Sequence, residues 1–261
     1  LRLRRLDDYQ GWAIEHAGAL LLIDPWLTSE PIRGVFDRAR GPAYTDLAAI
    51  RDGDATVVGV LLCAGVDDHA RPETLAALRE VPVLGPAAAV RVSRRVGALH
   101  ATRAVLGTAH TFPARGGAAL RVTPTRTGWP LGWIANGYLV EGLMEERVIG
   151  RVWFEPHQPS PHVASTLGPV DAAVLPCDAV HALVLPVAYG LTESLRAAKA
   201  CRAKVLVPTA TDPRRDMSGW QRALYRVRGP EHAMWEAAVA QGRIHPLAPQ
   251  TAMAIGPSSP E

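Results

Sequence analysis

The sequence predicts an α/β fold, and three observations carry that expectation. Apolar runs of strand length, such as "ALLLIDPWL" and "ATVVGVLLCAG", alternate with segments of helical spacing between residues 56 and 97. From His100 to Val152 strand patterns follow one another with no helical stretch between them. A second alternation then begins, with "DAAVLPC", "LTESLRAAKAC" and "AKVLVPTA" reading as strand, helix and strand.

Each element has a local reason. "GWAIEHAG" alternates weakly and meets a turn near Gly18, after which "ALLLIDPWL" reads as a buried strand ending at Asp24-Pro25. "TSEPIRGVFDRARGPAYTD" is rich in Pro and Gly and reads as a loop or lid. Pro72 suits the first helical position and Glu73 the first turn, so "PETLAALRE" predicts a helix with Leu75 and Leu78 inward. "VPVLG" is a short strand, and "PAAAVRVSRRVGA" a helix ending near Gly97. "TAHTFPA", "AALRVTPT", "NGYLVEG" and "RVIGRVWFEPH" supply the run of strands. The tail predicts a helix near "PEHAMWEAAVAQG" and a strand near "RIHPLA".

Bulk properties narrow the class. The chain has 261 residues and is 48% apolar, enough for a substantial core in one large α/β domain or two fused halves. The formal charge is only +3, and the bases are almost all Arg, with Lys at 199 and 204. No basic stripe with interleaved aromatics is present, so no nucleic-acid partner is expected. The longest apolar stretch, "DAAVLPCDAVHALVLPVAYGL", contains Asp178, His181, Pro176 and Pro186. Those residues are costly in a spanning helix, so strand plus loop and no membrane partner are expected. Cys63, Cys177 and Cys201 form no disulfide framework, and "LRLRRLDDYQ" lacks the apolar core of a signal peptide. A cytoplasmic location is the expectation, and the oligomeric state is not legible.

Candidate chemistry gathers after the strands. Asp68 and His69 sit between an apolar run and a helix start; they are either a structural pair or a general base (His69) with its orienter (Asp68). "LLLIDPW" and "VWFEPH" end alike, each with a carboxylate, Pro and an aromatic ring. From the residues alone, Glu155 and His157 at one such end read as a solvated strand end. Trp129 and Trp133, in "TRTGWPLGW", read either as core packing or as an aromatic wall that binds a flat or apolar ligand. Cys177 and His181 could form a thiolate pair, although a buried Cys beside a surface His is the commoner arrangement. Arg214 and Arg215 lie in a loop suited to an anion or simply to solvent. No glycine-rich phosphate loop of standard spacing occurs.

The order of these segments, and "VLLCAGVDDHARPETLAAL", "RVWFEPH" and "AKVLVPTA" in particular, resembles the metallo-β-lactamase superfamily. It is most similar to a divergent bacterial and plastid subgroup that shares "DDHARPETL"-like and "WFEPHQ"-like patterns, a resemblance that implies Glu155 and His157 as site residues and Asp24 as a loop anchor below the site. The resemblance implies an αββα four-layer sandwich over residues 1–261, a single domain of two βα halves meeting near residues 125 and 126. It also implies a metal motif His-x-His-x-Asp-His, of which this chain keeps only Asp68 and His69, with Ala64 and Val66 in the other two places. "PTRTGWPLG" offers no His for the next ligand, Glu155 aligns with the bridging Asp, and Thr209 takes the place of the last His.

A catalytic zinc needs about three protein ligands and an open position. Asp68, His69 and Glu155 can form one such set, equally suited to Mn²⁺ or Mg²⁺, with His157 as a replacement ligand. Three readings follow. The first is a protein with a degraded metal centre, metal-free or weakly mononuclear, that acts on or binds a small molecule in a hydrolase-like cleft. The second is a metal-dependent hydrolase of esters, lactones or phosphoesters. The third is a non-enzymatic binding or interaction protein.

Overall fold

The computed structural model describes residues 1–33, 37–41, 43–211 and 217–256. Arg214 and Arg215, and part of the Pro/Gly-rich 28–46 segment, fall outside the described residues. The first half opens with strands β1 (Arg2–Arg5), β2 (Trp12–His16) and β3 (Ala19–Ile23). β2 and β3 form a hairpin whose two turn residues, Ala17 and Gly18, both have positive φ, the conformation a tight turn between right-twisted strands requires. Next come α1 (Leu47–Arg51), β4 (Thr56–Leu61), α2 (Pro72–Ala77), β5 (Val83–Gly85), α3 (Ala87–Arg95) and β6 (Ala101–Arg103). Pro72 does begin α2, and Leu75 and Leu78 are buried.

The middle of the chain supplies β7 (His110–Pro113), β8 (Ala118–Arg126), β9 (Asn136–Met144) and β10 (Arg147–Phe154). The second alternation runs α4 (Pro161–Leu167), β11 (Ala172–Pro176), β12 (Ala179–Ala182), β13 (Leu185–Ala188), α5 (Leu191–Ala200) and β14 (Val205–Thr209). It closes with α6 (Gly219–Leu224), β15 (Tyr225–Arg228), α7 (His232–Ala240) and β16 (Ala252–Ala254).

Two large sheets result. One has the order β16-β1-β2-β3-β4-β5-β6, and the other β14-β11-β10-β9-β8-β7. Their facing sides bury Trp12, Ile14, Leu21, Leu120, Tyr138, Val140 and Phe154 in a shared core. The outer face of the first sheet packs on α1, α2 and α3 through Leu22, Val60, Leu75 and Val90. The outer face of the second packs on α4, α5 and α7 through Trp153, Ala164, Leu175, Ala197 and Ala238. The layers are therefore helix, sheet, sheet, helix, because each sheet has two apolar faces to cover. The 125/126 seam falls at the end of β8, which pairs with β9 in the second sheet, while β16 returns to the first.

Two expectations about elements need correction. The stretch after β11 is not a loop: β12 and β13 form a hairpin, and with β15 they make a separate three-stranded sheet. "RIHPLA" forms no strand; Ile244 makes one isolated bridge to Leu206, and the terminal strand is β16, paired with β1. Among the described residues no helix is long and apolar enough to cross a membrane.

Candidate functional site

The site lies where parallel strands end. Asp24 follows β3 and Glu155 follows β10, and each extends its strand's parallel ladder by one bond. The Asp24 N–H donates to the Leu61 carbonyl at 2.9 Å, and the Glu155 N–H to the Val174 carbonyl at 3.0 Å. Both side chains are wholly buried. Asp24 has φ of 45°, in the left-handed region that Asp tolerates better than most residues. Its Oδ1 accepts the Cys63 N–H at 2.8 Å, and its Oδ2 lies 2.8 Å from His69 Nδ1. The expected loop anchor therefore also orients the histidine. Asp68 was the expected orienter, but it approaches the other ring nitrogen, with Oδ2 3.5 Å from His69 Nε2.

His69 sits in a turn in which its own N–H and that of Ala70 donate to the Val66 carbonyl. This turn carries the imidazole inward over Asp24. Facing it is His157, with the two Nε2 atoms 3.0 Å apart and ring centroids 4.6 Å apart. β10 ends at Phe154, so Glu155 and His157 do not keep strand alternation. Glu155 turns beneath the loop, where Oε1 accepts from the Thr127 hydroxyl (2.8 Å) and from the N–H groups of His157 (3.0 Å) and Gln158 (3.2 Å). His157 turns upward, with Nδ1 3.7 Å from Glu155 Oε1, beyond hydrogen-bond reach.

Charge follows from this packing. Burial opposes a charged His69, but the Asp24 and Asp68 carboxylates, the Asp24 hydrogen bond and Glu155 outweigh it and push its pKa up to about 9. At neutral pH this imidazole is mostly cationic, a proton donor rather than the free base expected from its type. With Nδ1–H given to Asp24, a protonated His69 donates Nε2–H to His157 Nε2, which leaves the His157 proton on Nδ1. The Tyr9 hydroxyl hydrogen-bonds to Asp68, and burial, then the Asp68 charge, hold that phenol far above its ordinary pKa. The Gln10 amide nitrogen donates to the Asp68 carbonyl.

These groups form the floor of a cleft of about 330 Å³ whose walls are mostly apolar, including Ala88, Leu131, Ile134, Val180, Val187 and Met217. Trp129 and Trp133 are not among the lining residues and are 69% and 86% exposed. The aromatic wall expected from "TRTGWPLGW" is instead an aliphatic one, made by Leu131 and Ile134 of the same loop. Val180 and Val187 come from the β12–β13 hairpin, which sequence patterning read as loop; that reading hid this part of the wall. The family resemblance was the legible signal for Asp24. Tyr9 and Gln10 had none, because their placement depends on the loop before β2.

The thiols do not join the site. Cys63, Cys177 and Cys201 are buried and unpaired. Burial, followed by a neighbouring Asp, raises the first two well above the ordinary thiol range, and burial raises Cys201 to about 11. A Cys177–His181 nucleophile is thereby disfavoured, since the thiolate is the reactive form.

The fold implies a metal, and the donor set can be tested against one. Among the described residues no three His, Cys, Asp or Glu side chains are grouped to hold an ion. Glu155, the expected third ligand, accepts three donors through Oε1 and keeps Oε2 buried without a partner, and Thr209 accepts the Trp12 indole N–H at 2.8 Å. Ala64 and Val66 offer no donors at the first two motif positions. His69 meets His157 at 3.0 Å and lies 3.5 Å from Asp68, while Glu155 stays beneath the loop. Among the described residues, the dinuclear donor set that the superfamily motif implies is not assembled.

No protein-family model matches the sequence, and no curated protein matches it either. Solved structures do match in shape. An isothiocyanate hydrolase from Delia radicum gut bacteria superposes with TM-score 0.69 at 16% identity, covering 98% of this chain and 99% of that one. CmlA, a diiron β-hydroxylase from Streptomyces venezuelae, gives 0.65 at 15%, covering 97% of this chain, which spans 54% of CmlA. The metallo-β-lactamase fold protein YhfI from Bacillus subtilis gives 0.61 at 13%, covering 97% and 99%. With its four layers, its strand order and its cleft at the strand ends, this chain is a metallo-β-lactamase-fold protein.

Proposed function

We propose that this protein acts on a small molecule in the cleft by metal-independent, hydrolase-like acid–base chemistry, with the His69–His157 pair in place of the superfamily's dinuclear centre. The observation that carries this reading is the His69–His157 contact itself, two buried imidazoles sharing one proton position at 3.0 Å, with Asp24 fixing one ring from behind. The proton between the two nitrogens can be handed to a leaving group, and the nitrogen it vacates can then accept one from the attacking water, with little movement of heavy atoms. The rigid backing holds that proton in one place before substrate arrives, which is where positioning lowers a barrier. The isothiocyanate hydrolase neighbour supports a hydrolytic chemistry only through the shared fold.

The test combines elemental analysis with turnover. Purified protein from metal-supplemented medium should carry well under one equivalent of Zn, Mn or Fe. Hydrolysis of a panel of p-nitrophenyl esters and lactones should survive chelation and fall by about 10²-fold or more in His69→Gln and His157→Gln. One tightly held ion per chain, lost in His69→Ala, would establish the mononuclear metal reading instead. Wild-type and variant proteins equally inert toward the panel would leave a binding protein.

A further inference from the structure

We infer that the ligand of this cleft is a neutral amphiphile with an apolar body and one head that both donates and accepts a hydrogen bond, bound head inward. The inference rests on reading the cleft as a small-molecule site, and it concerns what binds rather than what is done to it. The lining is segregated. Asp68, His69, His157 and Gln10 lie together, and the remaining walls are built by apolar side chains from four separate segments, represented by Ala88, Ile134, Val187 and Met217. A ligand polar along its whole length would leave unpaired groups against those walls at a cost of binding. Ile134 and Val66 line the cleft and are also 58% and 38% exposed, so the apolar track runs from the floor out to solvent.

The head is specified by what the floor leaves open. Asp68 is nine-tenths buried, and its Oδ1 has no hydrogen-bond partner. A carboxylate oxygen in that position asks for a donor such as a hydroxyl or an amide N–H. Whichever ring holds the shared proton, the His69–His157 contact puts one N–H beside that carboxylate, so the same head must also accept. An alcohol, a hydroxy-ester or an amide meets both demands. Among the described residues no Arg or Lys lines the cleft, and the His69 ring is already faced by the Asp24 and Asp68 carboxylates, so a phosphoester would meet no free positive charge.

The probe is a homologous series of straight-chain primary alcohols, from four to ten carbons, titrated calorimetrically into the full chain. Each methylene should tighten binding about fourfold until the chain reaches solvent. Val187→Phe and, independently, Ala88→Leu should shorten the chain length at which the gain stops, with melting temperature confirming that each variant is folded. Asp68→Ala should weaken every alcohol about tenfold and leave the increment per methylene unchanged.

Affinity independent of chain length, or a series identical in both filled variants, would overturn the inference. Tighter binding of phenyl phosphate than of benzyl alcohol would overturn it too. Repeating the titration with His69→Gln separates the two readings. Chain-length dependence without ester turnover supports this inference and sinks the catalytic one; turnover without chain-length dependence does the reverse.

Discussion

His69 Nε2 and His157 Nε2 meet at 3.0 Å, 88 residues apart in sequence. Such a contact requires one nitrogen to donate and the other to accept, so the two rings hold the proton jointly. Removing either ring removes the shared proton. The double variant His69→Gln/His157→Gln should therefore lose no more activity than the more damaging single one, a non-additivity of about the size of the smaller single effect. Steady-state kinetics on the four members of the cycle measure it, and simple multiplication of the two losses would show that the rings act separately.

The raised His69 pKa links stability to pH. The unfolded imidazole titrates near 6.5 and the folded one near 9. Its contribution is complete below about 6.5 and disappears as pH rises through 9. Melting temperature should fall between pH 7 and 9.5 in the wild type, and more shallowly in His69→Gln. Parallel curves for the two proteins would mean that the carboxylates do not hold the charge as their positions imply.

Asp24 joins two segments that the chain brings together late. One oxygen takes the Cys63 N–H and the other faces His69. Asp24→Ala strands both, the second as a buried cation without its partner, and should cost about 3–5 kcal/mol in urea unfolding. Asp24→Asn keeps the acceptor for Cys63 and should cost less, while it weakens the hold on the charged imidazole. An Asp24→Ala loss below about 1 kcal/mol would show that Asp24 is not the anchor described.

Much of this arrangement was legible in the residues, and the illegible part has a physical reason. The apolar runs at "ALLLIDPWL" and "RVWFEPH" marked β3 and β10, because a strand in a covered sheet buries apolar side chains, while Asp24, Glu155 and His157 were legible through the family resemblance. Pro72 marked α2. The β12–β13–β15 sheet escaped because "DAVHALVLPVA" mixes Pro, His and Asp into strands that are only half covered, so neither strict alternation nor a continuous apolar run appears. Which carboxylate would orient His69 was hidden for a different reason. Asp68 is adjacent in sequence but faces Nε2 of the ring, while Asp24 arrives from 45 residues away to hold Nδ1.

The three cysteines give a sharper check on the core. Each thiol is buried and shifted toward its neutral form. A disulfide reagent such as dithionitrobenzoate should react with none of them in the native protein within minutes, and with all three in denaturant. Fast modification of one thiol in the native state would expose a mobile segment, and Cys63, beside Asp24, would be the one to disturb the site.

Gly137 tests the support beneath Glu155. A Cβ there would lie 2.6 Å from the Phe154 carbonyl oxygen and 2.8 Å from both Glu155 Oε2 and Thr125 Oγ1. The first of these is backbone in the neighbouring strand, where β9 pairs β10, so it cannot swing aside. Gly137→Ala must therefore push β10 outward or displace the Glu155 carboxylate, and Glu155 holds the His157 and Gln158 N–H groups. The expected result is a loss of about 1–3 kcal/mol in stability together with a changed His157 imidazole NMR signal, while Gly107→Ala serves as a control in open space that carries only the strain of its positive φ. A Gly137→Ala protein as stable as wild type with an unmoved His157 signal would mean that Glu155 does not set the position of the loop.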